Sequence, residues 1–208
     1  MHKLIVTLLI VAAVGATTLV VLNIARQPTA RVRSTASPRL QVIRELPPFE
    51  LTERGGKTIR LADLRGKVWV ADFIFTRCTG PCPMLTSRMY MVQDELKEHP
   101  RWEDVRLVTI TVDPDHDTPP VLAERAELAL ADETHWLWLT GARPAVWSLI
   151  KDGFALPVEE NRQDSDMPIL HSQKFVLVDR AGQIRGYYDG LDDAARAALI
   201  EDVDKLLQ

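Results

Sequence analysis

The chain has 208 residues, 46% of them hydrophobic and 26% charged, with a formal net charge of −4. That length and composition suit one globular domain with a sizeable core plus a tail. The negative balance gives no electrostatic footing for nucleic acid, so none is expected as a partner.

In chain order, Leu4 to Ala25 is an uncharged run dominated by Leu, Ile, Val, Ala and Thr, long enough to span a bilayer. A secretory signal has a shorter apolar core and a small-residue cleavage site, for which Ala12-Ala13-Val14-Gly15-Ala16 is the candidate. An uncleaved anchor over residues 1–25 is the preferred reading. Only the amino terminus and Lys3 precede the span, while Arg26, Arg31, Arg33, Arg39 and Arg44 follow it. The positive-inside count taken alone would therefore leave the domain in the cytoplasm.

Residues 26–46 carry Pro, Ser, Thr and Arg without a helical or strand period and read as a tether, which leaves 47–208 as the folded domain. Phe49 to Thr52 and Thr58 to Leu61 flank Gly55-Gly56 and predict a hairpin. Leu61 to Lys67 then turns the chain into a β-rich apolar run from Val68 to Phe75.

That run leads into Thr76-Arg77-Cys78-Thr79-Gly80-Pro81-Cys82-Pro83, which holds both cysteines of the chain. A helical pattern leaves it, with Leu85, Met89, Val92 and Leu96 on one face. Gly80 and Pro81 supply an N-cap and first helical position, placing Cys82 in the first turn, where the positive dipole end is expected to favour its thiolate. Three readings of the thiols compete. Each could be a small buried hydrophobe. They could form a structural disulfide, but so short a loop removes only roughly 2 kcal/mol of unfolded-state entropy, against about 4.7 for a hundred-residue loop. They could be vicinal thiols that bind a soft metal, cycle between dithiol and disulfide, or both. The third reading leads.

Val105 to Val112 alternates, is β-branched and predicts a second core strand. It ends in Asp113-Pro114-Asp115-His116-Asp117-Thr118-Pro119-Pro120. Asp117 or Thr118 can cap the next helix, whose Leu122, Ala126 and Ala129 face inward. Asp113, at the end of a core strand, either serves the structure or reaches the thiol-bearing end of the neighbouring strand. Trp136 to Leu139 is a short strand, and a helix from Pro144 stops at Gly153; the tryptophans are expected to fill core. Glu159 to Asp166 is acidic and aperiodic, a loop or hairpin insertion. His171-Ser172 follows, immediately before the strand Phe175 to Asp179. Ala181-Gly182 turns that strand into Ile184 to Tyr188, and Asp192 caps a last helix with Ala195, Leu199, Val203 and Leu206 inward.

Strand, helix, strand, helix, a late hairpin and a closing helix make a thioredoxin-like α/β fold, a central mixed sheet flanked by helices. In it the first strand's C-terminal end faces the loop before the hairpin. Topology alone thus selects His171 from five histidines; His2, His99 and His135 have no such claim, while His116, beside Asp113, is the rival.

These residues resemble the Sco/SenC family of copper-binding, thioredoxin-like assembly proteins for cytochrome c oxidase. The resemblance covers about Pro47 to Leu207. It rests on Phe75-Thr76-x-Cys78-x-x-x-Cys82-Pro83, then Thr111-Val112-Asp113-Pro114-x-x-Asp117-Thr118-Pro119, then Leu139-Thr140-Gly141, then His171-Ser172. It implies that Cys78, Cys82 and His171 are copper ligands and that Asp113 is the acidic residue beside them. It also implies partners: the copper-bearing subunit of the oxidase, other copper chaperones or thioredoxin-like reductases. The anchor and tether match the family's architecture, in which bacterial members face outward from the inner membrane, and on that ground the arginine count is set aside. One departure is Thr79-Gly80, where relatives often carry Pro and an acidic residue.

The chemistry agrees independently. Two thiolates and an imidazole are a soft, low-coordinate set suited to Cu(I) and able to hold Cu(II) with an added ligand. Two functions follow: a metallochaperone delivering copper to the binuclear copper site of the oxidase, or a membrane-anchored thiol-disulfide oxidoreductase in which Cys78 and Cys82 are the redox-active pair. A dithiol reductase has no need of His171; a copper carrier does.

Overall fold

The computed structural model describes residues 40–164 and 167–208. The apolar run Leu4 to Ala25, and with it the expected transmembrane helix, lies outside the described residues, as do residues 26–39 of the tether. Among the described residues no helix is long and apolar enough to cross a membrane.

The folded unit starts before residue 47. Strand β1 (Arg44–Glu45) pairs antiparallel with β10 (Gln183–Asp189), Arg44 opposite Ile184, and Leu46 behind it is buried. These residues belong to the expected tether; two residues cannot display a period, and only the distant partner makes them a strand. β2 (Glu50–Glu53) and β3 (Thr58–Arg60) form the expected hairpin, with Gly56 at φ +85° in the turn, a backbone region open to glycine. β2 also joins the sheet, pairing with β6 (Trp136–Thr140).

The centre is β4 (Val68–Ile74), all seven residues buried, as a strand covered on both faces requires. β5 (Val105–Thr111) runs parallel on one side with Phe73 opposite Ile110, and β9 (Lys174–Val178) antiparallel on the other with Val70 opposite Leu177. β6 continues parallel beyond β5. Among the described residues the order is β1-β10-β9-β4-β5-β6-β2-β3, an eight-stranded mixed sheet.

Helices cover it. A short α1 (Leu61–Leu64) precedes β4; α2 (Cys82–Leu96) and α5 (Asp193–Leu207) both pack on β4 and on each other; α3 (Pro119–Leu128) packs on β6. α4 (Arg143–Ser148) runs into a π turn, Leu149–Gly153. Leu85, Met89, Val92 and Leu96 form the buried face of α2, as their spacing predicts. Asp192 caps α5 by accepting from the Ala194 N–H at 2.9 Å, and Leu199, Ile200, Val203 and Leu207 are its buried face. Ala195 and Leu206 sit at the edge of that face, half-buried. Phe73, Phe75, Phe154 and Phe175 are fully buried, each stabilising the core by about 1.5–3 kcal/mol. Trp136 and Trp138 fill the same core, ring centroids 5.5 Å apart.

Outside the main sheet, β7 (Val158–Glu160) and β8 (Ile169–His171) pair antiparallel, Val158 opposite His171. The acidic segment is thus a hairpin insertion, and residues 165–166 within it lie outside the described residues.

Candidate metal centre

β4 ends at Ile74, and the chain turns so that the Cys78 N–H donates to the Phe75 carbonyl at 3.4 Å. α2 then opens with Cys82 itself, Pro81 being the N-cap and Pro83 the next helical residue, one position later than the Gly80-Pro81 reading. Both cysteines are free thiols and buried. The dipole end is where it was expected, but it does not win. Burial pushes the Cys82 thiol well up, and the neighbouring Cys78 thiol adds to the shift. Removing a thiolate from water outweighs a partial charge of about half a unit at the helix end. The thiol of the unloaded protein is therefore held protonated, a reversal that a linear motif could not disclose because it does not record burial.

His171 reaches the thiols from the other side. As the last residue of β8, rather than a loop residue, it points Nε2 at Cys82 Sγ, 3.5 Å away. Its Nδ1 lies 3.0 Å from the Ser172 carbonyl. A carbonyl only accepts, so Nδ1 carries the hydrogen and Nε2 presents a lone pair to the sulfur. Burial lowers the imidazole pKa, partly offset by the Ser172 bond, and the edge-on Phe75 ring, centroid 5.7 Å away, helps to enclose it. A neutral imidazole with a fixed tautomer is the form that binds a metal.

The other described histidines are accounted for elsewhere. His116 is exposed, with its backbone N–H on the Asp113 carbonyl. His135 is buried against Asp132 and stacks on Trp102, and His99 lies beside Asp204. His2 lies outside the described residues.

Asp113 is wholly buried, and its carboxylate is taken by two guanidiniums, Arg77 Nε at 2.7 Å and Arg143 Nη2 at 3.2 Å. It borders the site through Arg77, the residue before Cys78. Asp117 does not cap α3. Its carboxylate, wholly buried, accepts from the Thr76 N–H at 3.0 Å and from the hydroxyls of Thr76 and Thr111, so it ties the cysteine turn to the end of β5. The cap position belongs to Thr118.

Two side chains escaped the sequence reading. Met167, half-buried at the mouth, sets its thioether sulfur 3.7 Å from Cys78 Sγ. Asp72, mid-β4, is buried with one oxygen accepting from Thr109 Oγ1 at 2.6 Å and the other without a partner among the described residues. Burial raises its pKa to about 7. A lone carboxylate in an otherwise apolar strand was the available signal for it. Met167 had a weaker one, an apolar residue ending a polar stretch four positions before His171.

Among the described residues no three His, Cys, Asp or Glu side chains form a ready-made metal cage. The arrangement is a Cys82–His171 pair flanked by Cys78, a set of donors of the kind that soft metals take. A mixed α/β sheet with a thiol pair at its central strand-to-helix turn and an imidazole brought across from a hairpin defines a thioredoxin-like protein with a soft-metal or dithiol site. Residues 39–208 match the SCO1/SenC family model, and the chain belongs to that family.

The chain is 31% identical over 160 residues to the SCO1 protein homolog of Bacillus subtilis (strain 168), covering 76% of this chain and 81% of that protein. It is similar to the structure of BsSco, a member of the Sco family of cytochrome c oxidase assembly proteins with a disulfide switch, at 30% identity and TM-score 0.70 over 80% of this chain and 95% of that one. Bradyrhizobium japonicum ScoI with copper bound gives TM-score 0.63 at 22% identity over 76% and 98% of the two chains; that likeness is one of fold.

Proposed function

We propose that this protein carries copper on Cys78, Cys82 and His171 and delivers it to the binuclear copper site of a cytochrome c oxidase subunit during assembly. The observation that carries the reading is the Cys82–His171 approach, with Nδ1–H held by the Ser172 carbonyl and Nε2 turned to the sulfur. A neutral imidazole beside two thiols is a Cu(I) donor set, and the related BsSco is a member of a family of cytochrome c oxidase assembly proteins. In this reading residues 1–25 anchor the protein in the membrane, residues 26 onward tether it, and the domain faces the periplasm or cell exterior. A reporter active only outside the cytoplasm, fused after Gln208, would then be active; activity of a cytoplasmic reporter instead would reverse the orientation.

The second reading is a thiol-disulfide oxidoreductase acting on the cysteines of that subunit or of other extracytoplasmic proteins. It is favoured by the free Cys82 and Cys78 thiols, which interact with each other. The two are separated by mixing copper-loaded protein with the reduced, copper-free oxidase subunit. Transfer of copper to the subunit supports the carrier. Reduction of an oxidised subunit by the metal-free dithiol form, with no transfer of copper, replaces it with the reductase.

A further inference from the structure

We propose that Met167 is a third sulfur of the copper site, its thioether joining Cys78, Cys82 and His171 in holding Cu(I). The inference rests on the copper reading above and adds a ligand to it. Met167 follows the stretch Glu159 to Asp166, which is polar throughout. Its side chain nevertheless turns inward, packing half-buried against the core, while its N–H donates to the Asp164 carboxylate at 3.2 Å. The sulfur stops 3.7 Å from Cys78 Sγ.

What makes room for it is Gly80. A Cβ at that position would stand 2.9 Å from the Met167 sulfur, 3.4 Å from its methyl carbon and 3.8 Å from Cys78 Sγ. Any side chain there would push the thioether off the thiol. Met167 and His171 come from the same hairpin, four residues apart, and reach the cysteine turn on its two thiols: the thioether beside Cys78, the imidazole beside Cys82.

A thioether has no proton to lose and no charge, and it prefers soft Cu(I) to harder divalent ions. Cu(I) bound by two thiolates and an imidazole would gain a neutral sulfur at the open side of the site, and its preference over Cu(II) would rise.

The test uses the full-length chain in detergent, reduced and anaerobic, loaded with Cu(I). X-ray absorption at the copper edge counts sulfur neighbours, and competition with a chromogenic Cu(I) chelator gives affinity. For the wild type we expect three sulfurs; Met167→Leu, which keeps volume and burial, should leave two and weaken Cu(I) binding about tenfold with Cu(II) binding unchanged. Gly80→Ala should move both readings the same way by displacing the thioether. Should the wild type hold Cu(I) with two sulfurs and Met167→Leu match it in affinity, Met167 only packs and the assignment falls while copper binding stands. A wild type that yields all its Cu(I) to the chelator overturns the copper reading itself.

Discussion

Arg77 donates to the Asp113 carboxylate at 2.7 Å, so the residue preceding Cys78 is fastened to the buried turn just after β5. The carboxylate is fully engaged by Arg77 and Arg143 and carries charge-assisted bonds to both. Through these contacts the turn that follows β5 is tied to the residue before the first thiol.

Asp113→Asn should therefore lower stability by about 2 kcal/mol, the loss associated with hydrogen bonds to charged groups, and leave copper stoichiometry at its wild-type value. Urea unfolding and copper titration of the same samples check both halves. A variant that keeps its stability but loses copper would make Asp113 a ligand instead of a positioning residue.

The competing histidine gives a sharper comparison. His171→Ala removes the imidazole that faces Cys82, and copper affinity should fall by at least the roughly 10–100-fold that losing a partner behind a ligand costs. His116→Ala, at an exposed position, should leave it within about twofold, as a surface substitution generally does. Chelator competition on the two variants measures this, and exchanged phenotypes would move the site to the Asp113 loop.

The parts of this fold that were legible in the sequence are those whose signal is local. Val68 to Ile74 shows as a β-rich run broken only by Asp72, α2 shows by its 4-3-4 spacing, and Asp192 shows as a cap, because each depends on neighbours in the chain. His171 could be selected by topology alone, since strand order determines which loops share an end of the sheet. Arg44–Glu45 as a strand, Asp117 as a tie between Thr76 and Thr111, and Met167 over Gly80 depend on partners distant in sequence, and no pattern within the segment announces them. The expectation of a Cys82 thiolate fails for a related reason: the helix end can be read to within a residue from Gly80 and Pro81, whereas the burial that outweighs it comes from the whole fold.

Thiols must be reduced and deprotonated to take a metal. A Cys78–Cys82 disulfide should abolish copper binding, and bound copper should shield both sulfurs from alkylation. With the Cys82 thiol pushed up by burial, its alkylation in the copper-free protein should keep rising beyond pH 9, past the free-cysteine value of about 8.5. Mass spectrometry of the alkylated protein across a pH series reads the site of labelling. Oxidised protein that binds copper as well as reduced protein would remove the cysteines from the ligand set, and a plateau near pH 7 would restore the helix-end thiolate.

Asp72 supplies a pH dependence that can be separated from the rest of the molecule. Its carboxyl titrates at about 7 in the folded protein against 3.8 for the ordinary group, burial being the cause and the Thr109 hydroxyl only a partial offset. Between those values the unfolded chain has released this proton and the folded one still holds it, so stability falls as pH rises, by at most about 1.4 kcal/mol per pH unit, and levels off above about pH 8. Asp72→Asn cannot titrate, and every other group should cancel between the two proteins. The stability of the wild type relative to Asp72→Asn should thus decline from pH 4 to about pH 8 and then stay flat, as measured by thermal unfolding of both at each pH. The ionised carboxylate also raises the Cys82 thiol by repulsion, so above pH 7 the Asn variant should be alkylated faster at Cys82. A stability difference that does not change with pH would mean that Asp72 is already ionised within β4, and the link to Cys82 would then act at every pH alike.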